Sequence, residues 1–246
     1  MNKLKLHRLI FYVLLVPSFA ATALVPLMPA ESVTFKPKGS PQKTAAGASR
    51  GICLSAIPSS QRKIPQSNFA ALIPSTEVEL TASVSPTILV NVPESEARQV
   101  ELTLWDEDGK GIYQTNVAIT GEPGIVSFKF PSEFGSLALG KKYKWNAALI
   151  CDRNERQRDV VLEGFLQRVE VSSALKRKLE SAEPLQKAKL YAANGFWYDT
   201  VATLADVKRS RPQDTLIVSE WQELLQSVGL TKLSQALLVN CCQAQN

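Results

Sequence analysis

The single histidine of the sequence, His7, decides which catalytic chemistries are open to the protein. It lies within residues 1 to 23, a segment with the pattern of a removable export signal. Without His7 the chain has no imidazole, and so no histidine general base, no Ser-His-Asp or Cys-His arrangement and no histidine-containing zinc site. Any catalysis would have to rest on carboxylate, lysine, tyrosine or cysteine side chains.

Carboxylates are the remaining candidates for acid–base chemistry. Hydrolysis of a glycosidic bond needs two carboxyl groups ~5 to 9.5 Å apart, and the sequence alone does not show which acids meet. The stretch from Asp106 to Gly109 has some features of a calcium loop, but it lacks the ligand ladder and the bidentate glutamate, so a charged hairpin turn explains it better. We predict no metal site, no cofactor and no catalytic residues. The acids that could form a pair are Asp106, Glu107, Asp152, Asp159 and Glu163.

Four cysteines are candidates for disulfide bonds, since an even count is typical of exported chains. A bond between the neighbours Cys241 and Cys242 is disfavoured, because adjacent Cα atoms lie ~3.8 Å apart and disulfides prefer ~4.4 to 6.8 Å. If all four are oxidised, Cys53 and Cys151 each bond one member of the C-terminal pair. The alternative is a single bond with two free thiols.

The stretch LYAANGFWYDTVATL, residues 190 to 204, places three aromatic residues directly after a glycine. Gly195 fits a turn between two helices, with aromatic side chains packed in the crevice between them. That interpretation gives Trp197 no required packing partner. Trp197 and the nearby Asp199 are therefore the candidate ligand-binding residues, on condition that the Trp197 side chain is exposed. The aromatic residues assigned to packing are Tyr191, Phe196 and Tyr198.

The first residues carry the pattern of a secretory signal peptide. MNKLKLHR is a basic start, LIFYVLLVPSFAATALV continues as an apolar core, and Ala21 and Ala23 suit a processing site. Cleavage after residue 23 leaves 25 basic and 23 acidic residues, a net charge of +2. The alternative is an uncleaved membrane anchor, because the apolar run continues to about Met28 and a span needs ~20 residues. We expect a protein of the periplasm or the extracellular space.

The charge and composition of the rest of the chain limit its partners. A near-neutral chain lacks the clustered basic face that nucleic acid requires, so we predict no nucleic-acid partner. Contact with a membrane is expected only through an uncleaved N-terminal segment. Residues 24 to 50 are rich in Pro, Ala, Gly, Ser and Lys without an apolar period, which predicts a flexible linker.

From residue 51 to 171 the sequence predicts a β-sandwich domain. Alternation such as Val100, Leu102 and Leu104 puts every second side chain on one face. Seven short strands in roughly 95 residues, separated by turn residues, are typical of an antiparallel sandwich of immunoglobulin or fibronectin type. The predicted strands are 78–83, 87–92, 99–105, 112–119, 125–130, 143–151 and 160–169.

From residue 172 to 246 the apolar period becomes helical, which predicts a small all-helical domain. Pro184 opens the second helix, and the third runs from Phe196 to Arg209. Ser219 has the form of a capping box for the fourth. The second and third helices together resemble one hairpin of a tetratricopeptide repeat. The predicted fold class is thus α+β, with a sandwich domain followed by a separate helical domain.

Short segments in a fixed order carry a family resemblance: Arg50-Gly51-Ile52-Cys53, Ala71-Leu72-Ile73-Pro74, Pro86-Thr87, Asp106-Glu107, Leu149-Ile150-Cys151-Asp152, Gly164, Leu190-Tyr191-Ala192, Trp197-Tyr198-Asp199 and Ser227-Val228-Gly229-Leu230. Over about residues 35 to 242 the chain resembles the cyanobacterial family catalogued as domain of unknown function 928. The resemblance implies an exported cyanobacterial protein and brings no activity with it. The family pattern leads us to expect an aromatic-rich strand after Pro86-Thr87 and a tryptophan after Gly164. This chain has an aliphatic strand and Phe165 there, so the resemblance does not predict ligand stacking on these strands.

These observations favour a non-enzymatic binding or adaptor module of the cell envelope or secretome. The expected partner is an envelope or secreted protein or a glycan, bound by an edge or face of the sandwich. One alternative is a carboxylate-dependent hydrolase of envelope or extracellular polysaccharide. A second is a structural accessory of a secreted assembly.

Overall fold

The computed structural model of the protein describes residues 32–35, 69–74, 78–132 and 137–239. All of these residues belong to one unit of the chain. The predicted signal peptide and most of the predicted linker lie outside the described residues.

In the described residues, eight strands form two sheets. The small sheet has the order β1-β3-β6, and the large sheet has the order β2-β8-β7-β4-β5. All neighbouring strands are antiparallel except β2 and β8, which are parallel, so the large sheet is mixed. The strands are β1 (Ala70–Ala71), β2 (Glu79–Thr81), β3 (Thr87–Val92), β4 (Gln99–Asp106), β5 (Gly111–Ala118), β6 (Gly124–Lys129), β7 (Lys142–Ile150) and β8 (Val160–Arg168).

Within the same part of the chain, four α-helices follow the strands: α1 (Ser173–Ser181), α2 (Pro184–Asn194), α3 (Trp197–Ser210) and α4 (Thr215–Ser227). Pro184 stands in the first turn of α2, and Gly195 ends that helix in the left-handed conformation, with φ of 82°, as predicted. The fourth helix begins earlier than the predicted cap at Ser219. Asp214 caps it instead, because its carboxylate accepts hydrogen bonds from the backbone N–H groups of Leu216 and Ile217.

The predicted fold class is wrong in two respects, and the first concerns the helices. They do not form a separate all-helical domain, because α3 packs against β2 of the large sheet and β3 of the small sheet. Apolar residues of α3, such as Val201 and Leu204, lie in the same hydrophobic core as residues of both sheets, such as Ile88 and Leu102. The fold is α+β with one shared core.

The second error concerns the strands, which do not form the purely antiparallel sandwich expected. Strand β2 lies at the edge of the large sheet beside β8 and runs parallel to it, with Glu79 paired with Leu166. Strand β3 is buried at five of its six positions, which shows that it has neighbours on both faces. A strand covered on both faces needs a helix layer as well as a second sheet.

A short N-terminal segment, Ser32–Phe35, packs against the helices. Val33 and Phe35 are buried, and the Phe35 ring meets the Trp197 ring edge-on with centroids 4.9 Å apart. The backbone N–H of Phe35 donates to Ser227 Oγ at 3.1 Å. These four residues fall within the predicted flexible linker, and we call them the N-terminal strap.

A buried carboxylate also holds the N-terminal strap. Glu220 of α4 accepts a hydrogen bond from the Val33 backbone N–H with one oxygen and pairs with Lys189 Nζ at 2.7 Å with the other. Glu220 is only 2% exposed, so both oxygens need these partners. The Glu220 carboxylate of α4 therefore links the strap by a hydrogen bond and α2 by an ion pair.

Candidate functional site

Outward side chains of three neighbouring strands lie in one row across the large sheet. Trp105 of β4 pairs with Lys144 of β7, which pairs with Phe165 of β8. Neighbouring strands are ~4.8 Å apart, so two strand spacings separate the two aromatic residues by ~10 Å, with the lysine between them. We call Trp105, Lys144 and Phe165 the aromatic row.

Both aromatic side chains of the row are partly open to solvent. Trp105 and Phe165 are each 37% exposed. The other three tryptophans, Trp145, Trp197 and Trp221, are fully buried. Two exposed aromatic residues on one sheet face are therefore apolar surface that the core does not use, which is typical of a binding surface.

The position of the Trp105 ring is fixed by its neighbours. Its indole N–H donates to Thr103 Oγ1 at 2.9 Å on the same strand. A Cβ atom at Gly111 would lie 3.3 Å from the ring, which shows that the indole rests directly over this glycine of β5. A ring held in this way has little conformational freedom left to lose when a ligand binds.

An open cavity of about 580 Å³ covers the aromatic row. This volume falls in the range of ~300 to 1,000 Å³ typical of small-molecule sites. The turn between β4 and β5 lies on one side of it, and polar side chains of β7 lie beside the aromatic residues. The lining residues are Trp105, Asp106, Glu107, Gly109, Lys142, Tyr143, Lys144, Asn146 and Phe165.

Ion pairs involve two of the four charged residues that line the cavity, Glu107 and Lys144. Lys144 Nζ lies 2.7 Å from Glu163 Oε2 on the neighbouring strand. Lys141 pairs with Glu107 of the turn, and this hydrogen bond raises the pKa of the Lys141 ammonium group. The Lys144 side chain, between Trp105 and Phe165 in the row, is thus tied to the neighbouring strand β8.

The formal charges that line the cavity cancel. Lys142 and Lys144 contribute two positive charges, and Asp106 and Glu107 contribute two negative ones. Within the described ranges Lys142 makes no ion pair. A balanced lining does not attract a strongly charged polymer of either sign.

The predicted charged hairpin turn is confirmed at one side of the cavity. Asp106 Oδ1 accepts hydrogen bonds from the backbone N–H groups of Asp108, at 3.1 Å, and Lys110, at 2.8 Å. Gly109 adopts φ of 77°, which a residue with a side chain rarely does. The Asp106 carboxylate therefore stabilises the turn.

Buried hydrogen bonds support the aromatic row from the inner side of the large sheet. The Trp145 indole N–H donates to Tyr198 Oη at 2.8 Å, and the Tyr198 hydroxyl donates to the Phe165 carbonyl oxygen at 2.9 Å. The Trp145 ring lies against Gly164, where a Cβ atom would come within 2.3 Å of it. Helix α3 thus fixes the backbone of Phe165 through the sheet.

Two acids with raised pKa lie in the interior, away from the cavity lining. Glu79 is 5% exposed, and burial raises its pKa to about 7. Its Oε1 atom has no hydrogen-bond partner in the part of the chain that the structure describes. Asp199 accepts a hydrogen bond from the Ala82 backbone N–H at 2.9 Å, and burial raises its pKa to about 6.

The structure places the predicted ligand residues Trp197 and Asp199 at packing contacts. Trp197 is fully buried, and its indole N–H donates to the Leu72 carbonyl oxygen at 2.8 Å. The condition set for a ligand-binding role, an exposed Trp197 side chain, is not met. Asp199 joins α3 to the residue after β2. Neither residue lines the cavity.

Of the other acids considered for hydrolysis, Glu163 of β8 pairs with Lys144 beside the cavity, whereas Asp152 and Asp159 lie in the loop after β7. Arg156 pairs with Glu101 of β4 at 2.9 Å and with Asp159. Asp159 Oδ1 also accepts a hydrogen bond from the Cys151 backbone N–H at 3.2 Å. This network closes the loop that joins β7 to β8.

The predicted disulfides fall mostly outside the described residues. Cys151 directly follows β7 and is half-buried, with its Sγ atom 3.0 Å from the Arg158 carbonyl oxygen. Cys53, Cys241 and Cys242 lie outside the residues that the structure describes. The pairing therefore stays a prediction.

The aromatic row was not predicted from the sequence, although part of its signal is present there. Leu102 and Leu104 define the buried face of β4, so Trp105 must point outward. The same alternation places Phe165 on the outer side of β8. The strand order β8-β7-β4 brings these side chains together. The alternation of apolar residues along each strand does not predict that order.

Two further findings concern the described ranges. They contain no helix that is long and apolar enough to cross a membrane. In the same ranges no three His, Cys, Asp or Glu side chains come together as metal ligands.

Comparison with known proteins assigns the chain to a family. No curated protein matches it. A family model described as Domain of Unknown Function (DUF928) matches residues 45–238, a range that contains every strand and helix given above. The resemblance carried by the short sequence segments is thereby confirmed at the level of the family: the chain belongs to the DUF928 family.

Proposed function

We propose that the protein is an exported, non-enzymatic binding or adaptor module of the cell envelope or secretome, and that the aromatic row is its binding surface. One observation carries this proposal. Trp105 and Phe165 are exposed in register on one sheet face, beneath a cavity of about 580 Å³. The hydrogen bond of Trp105 and the contact of Phe165 with α3 through its carbonyl prepare this surface before a ligand arrives.

Binding explains the lining of the cavity better than catalysis does. A hydrolase of polysaccharide would need two carboxyl groups facing the substrate, one of them a proton donor. At the cavity the Glu107 carboxylate pairs with Lys141, and the Asp106 carboxylate accepts two backbone hydrogen bonds. The acids with raised pKa, Glu79 and Asp199, do not line it.

The proposed location rests on the N-terminal sequence. The basic start, apolar core and small residues of positions 1 to 23 support export to the periplasm or beyond. The family resemblance supports a cyanobacterial source. N-terminal sequencing of the exported protein tests this, because a mature start upstream of Ala20 would contradict cleavage.

Disulfide bonds from the C-terminal cysteines to the sandwich are part of the same proposal. Leu238 bridges to Ile125 at the beginning of β6, beside the loop that leads from β3 into β4. The end of β7, before Cys151, pairs with the beginning of β4. Val239, the last described residue, lies at this end of the sheets, where its backbone N–H donates to the Ile125 carbonyl oxygen at 2.9 Å. A mobility difference on non-reducing gels is the expected result.

Cosedimentation with the envelope fraction of the producing organism tests the binding function. The wild-type protein is expected to sediment with this fraction, and the double variant Trp105→Ala, Phe165→Ala is expected to stay in solution. Leu216→Ala is the matched control, since Leu216 is an exposed apolar residue of α4, remote in sequence and element from the row. Equal sedimentation of all three proteins would refute the aromatic row as the binding surface.

A further inference from the structure

The spacing and chemistry of the aromatic row define a ligand class more narrowly than the proposed function does. We infer that the row binds an extended, neutral, β-linked polysaccharide that runs across the strands from Trp105 over Lys144 to Phe165. This inference rests on the proposed binding function. It adds the chemical nature of the ligand and its direction on the sheet.

The first argument is the stacking chemistry of the two aromatic residues. One face of a pyranose ring presents several C–H groups with slight positive charge, and the face of an aromatic ring carries the negative part of its quadrupole. The Trp105 indole is held by Thr103 at one edge and lies over Gly111, so its position is defined before binding. A sugar ring gains contact area there without ordering the side chain first.

The second argument is the distance between the aromatic residues. Two strand spacings place Trp105 and Phe165 ~10 Å apart in a straight row. In an extended β-linked glycan alternate sugar units present the same face, and their separation is close to this distance. A flexible α-linked chain does not hold two sugar faces in such a line. The row therefore favours a ribbon-shaped chain over a coiled one.

The third argument is the polarity of the surface around the rings. Asn146 and Thr103 lie in the next row across β7 and β4, with the Asn146 amide 3.3 Å from Thr103 Oγ1. Amide and hydroxyl groups at this position match the hydroxyl groups at the rim of a sugar ring. A protein partner would instead need a larger apolar centre than two separated rings supply.

The fourth argument is the charge balance of the cavity. Lys142 and Lys144 are offset by Asp106 and Glu107, so the lining supplies no net charge to hold an acidic polysaccharide. A neutral glycan does not need a net charge in its site. The balanced charge of the lining therefore favours a neutral polysaccharide over an acidic one such as a polyuronate.

Affinity electrophoresis of the full exported chain tests the inference. The native gels contain hydroxyethyl cellulose as the neutral β-linked chain, dextran as the neutral flexible chain, or alginate as the extended acidic chain. We expect retardation by hydroxyethyl cellulose and none by dextran or alginate. In Trp105→Ala and in Phe165→Ala the dissociation constant for hydroxyethyl cellulose should rise at least about tenfold, and Leu216→Ala should behave as wild type.

The other outcomes overturn the inference in distinguishable ways. Stronger retardation by alginate, or equal retardation by dextran, contradicts the neutral and extended ligand. Without retardation by hydroxyethyl cellulose, but with cosedimentation that still depends on Trp105, the ligand class is wrong and the proposed binding function stands. If cosedimentation is also independent of Trp105, both fail. The far-ultraviolet circular dichroism of each variant confirms that it is folded.

Discussion

At the scale of single residues, the four tryptophans show what a sequence does and does not reveal. Trp197 is predicted as a ligand residue because no packing partner is evident, yet Leu72 and Phe35 surround it in the structure. Both partners are more than a hundred residues away in the chain. For Trp105 the sequence predicts only part of the outcome. Its outward direction follows from the alternation in β4, but its exposure depends on Gly111 and the neighbouring strands.

Glu79 predicts an unusual dependence of stability on pH. In the folded protein its pKa is raised from 4.5 to about 7, so the folded state binds more protons than the unfolded chain between these pH values. The free energy of unfolding of the wild type should therefore fall as the pH rises from about 4.5 to about 7, by ~3 kcal/mol. Glu79→Gln cannot ionise, and at about pH 8 it should be more stable than the wild type by up to ~3 kcal/mol.

Urea unfolding across this pH range measures the effect. The variant retains the smaller dependence due to Asp199, whose pKa is also raised, to about 6. Glu94→Gln is the control, because Glu94 is an exposed acid. Parallel curves for the wild type and Glu79→Gln would contradict the burial of this carboxyl group.

A larger residue at position 164 is expected to clash with the core, because Gly164 leaves room for the Trp145 ring. In Gly164→Ala the new Cβ atom would lie 2.3 Å from the buried Trp145 ring, which cannot move without losing its bond to Tyr198. We expect a loss of ~3 kcal/mol in the free energy of unfolding. Gly111→Ala is the comparison, since its Cβ atom would lie 3.3 Å from the Trp105 ring, a contact that a displacement of a few tenths of an ångström relieves. Similar urea midpoints for the two variants would count against the Trp145 contact.

At the scale of the elements, local patterns predict most strands and helices. The seven predicted strands correspond to β2 to β8, because alternation and turn residues are local signals. The two-residue strand β1 is too short to carry a period. The parallel pairing of β2 with β8 is not visible either, since it depends on residues that are far apart in the sequence.

We expect the N-terminal strap to stabilise the fold, although its composition is typical of a flexible linker. Phe35 is 2% exposed and packs on Trp197. Phe35→Ala should therefore lower the free energy of unfolding by ~3 kcal/mol. The exposed neighbour Thr34 provides the control, and Thr34→Ala should have little effect in the same denaturant titration. If both substitutions are neutral, the strap does not pack in solution as described.

At the scale of the whole molecule, the sandwich and helices form one folding unit. The helical period after residue 172 indicates helices correctly, but it does not show what covers their apolar faces. In the structure α3 covers β3 and joins the large sheet through Tyr198 and Asp199. The domain boundary suggested by the change of period is therefore not a structural boundary.

A shared core predicts a single cooperative unfolding transition. Tryptophan fluorescence, which reports on the large sheet and on helices α3 and α4, and far-ultraviolet circular dichroism should give the same midpoint in urea. The isolated segment 172–246 should show no cooperative transition, because its apolar helix faces lose their partners. Two separate transitions in the full chain, or cooperative folding of the segment, would restore the two-domain description.

The central claim, that the aromatic row contacts the ligand, is tested most directly by quenching of tryptophan fluorescence with acrylamide. Trp105 is 37% exposed and the other three tryptophans are fully buried, so one emitting group should be readily quenched. We predict that a saturating concentration of hydroxyethyl cellulose shields this group, and that Trp105→Phe lacks the quenchable component from the start. Binding of the polysaccharide with unchanged quenching of Trp105 would contradict the account.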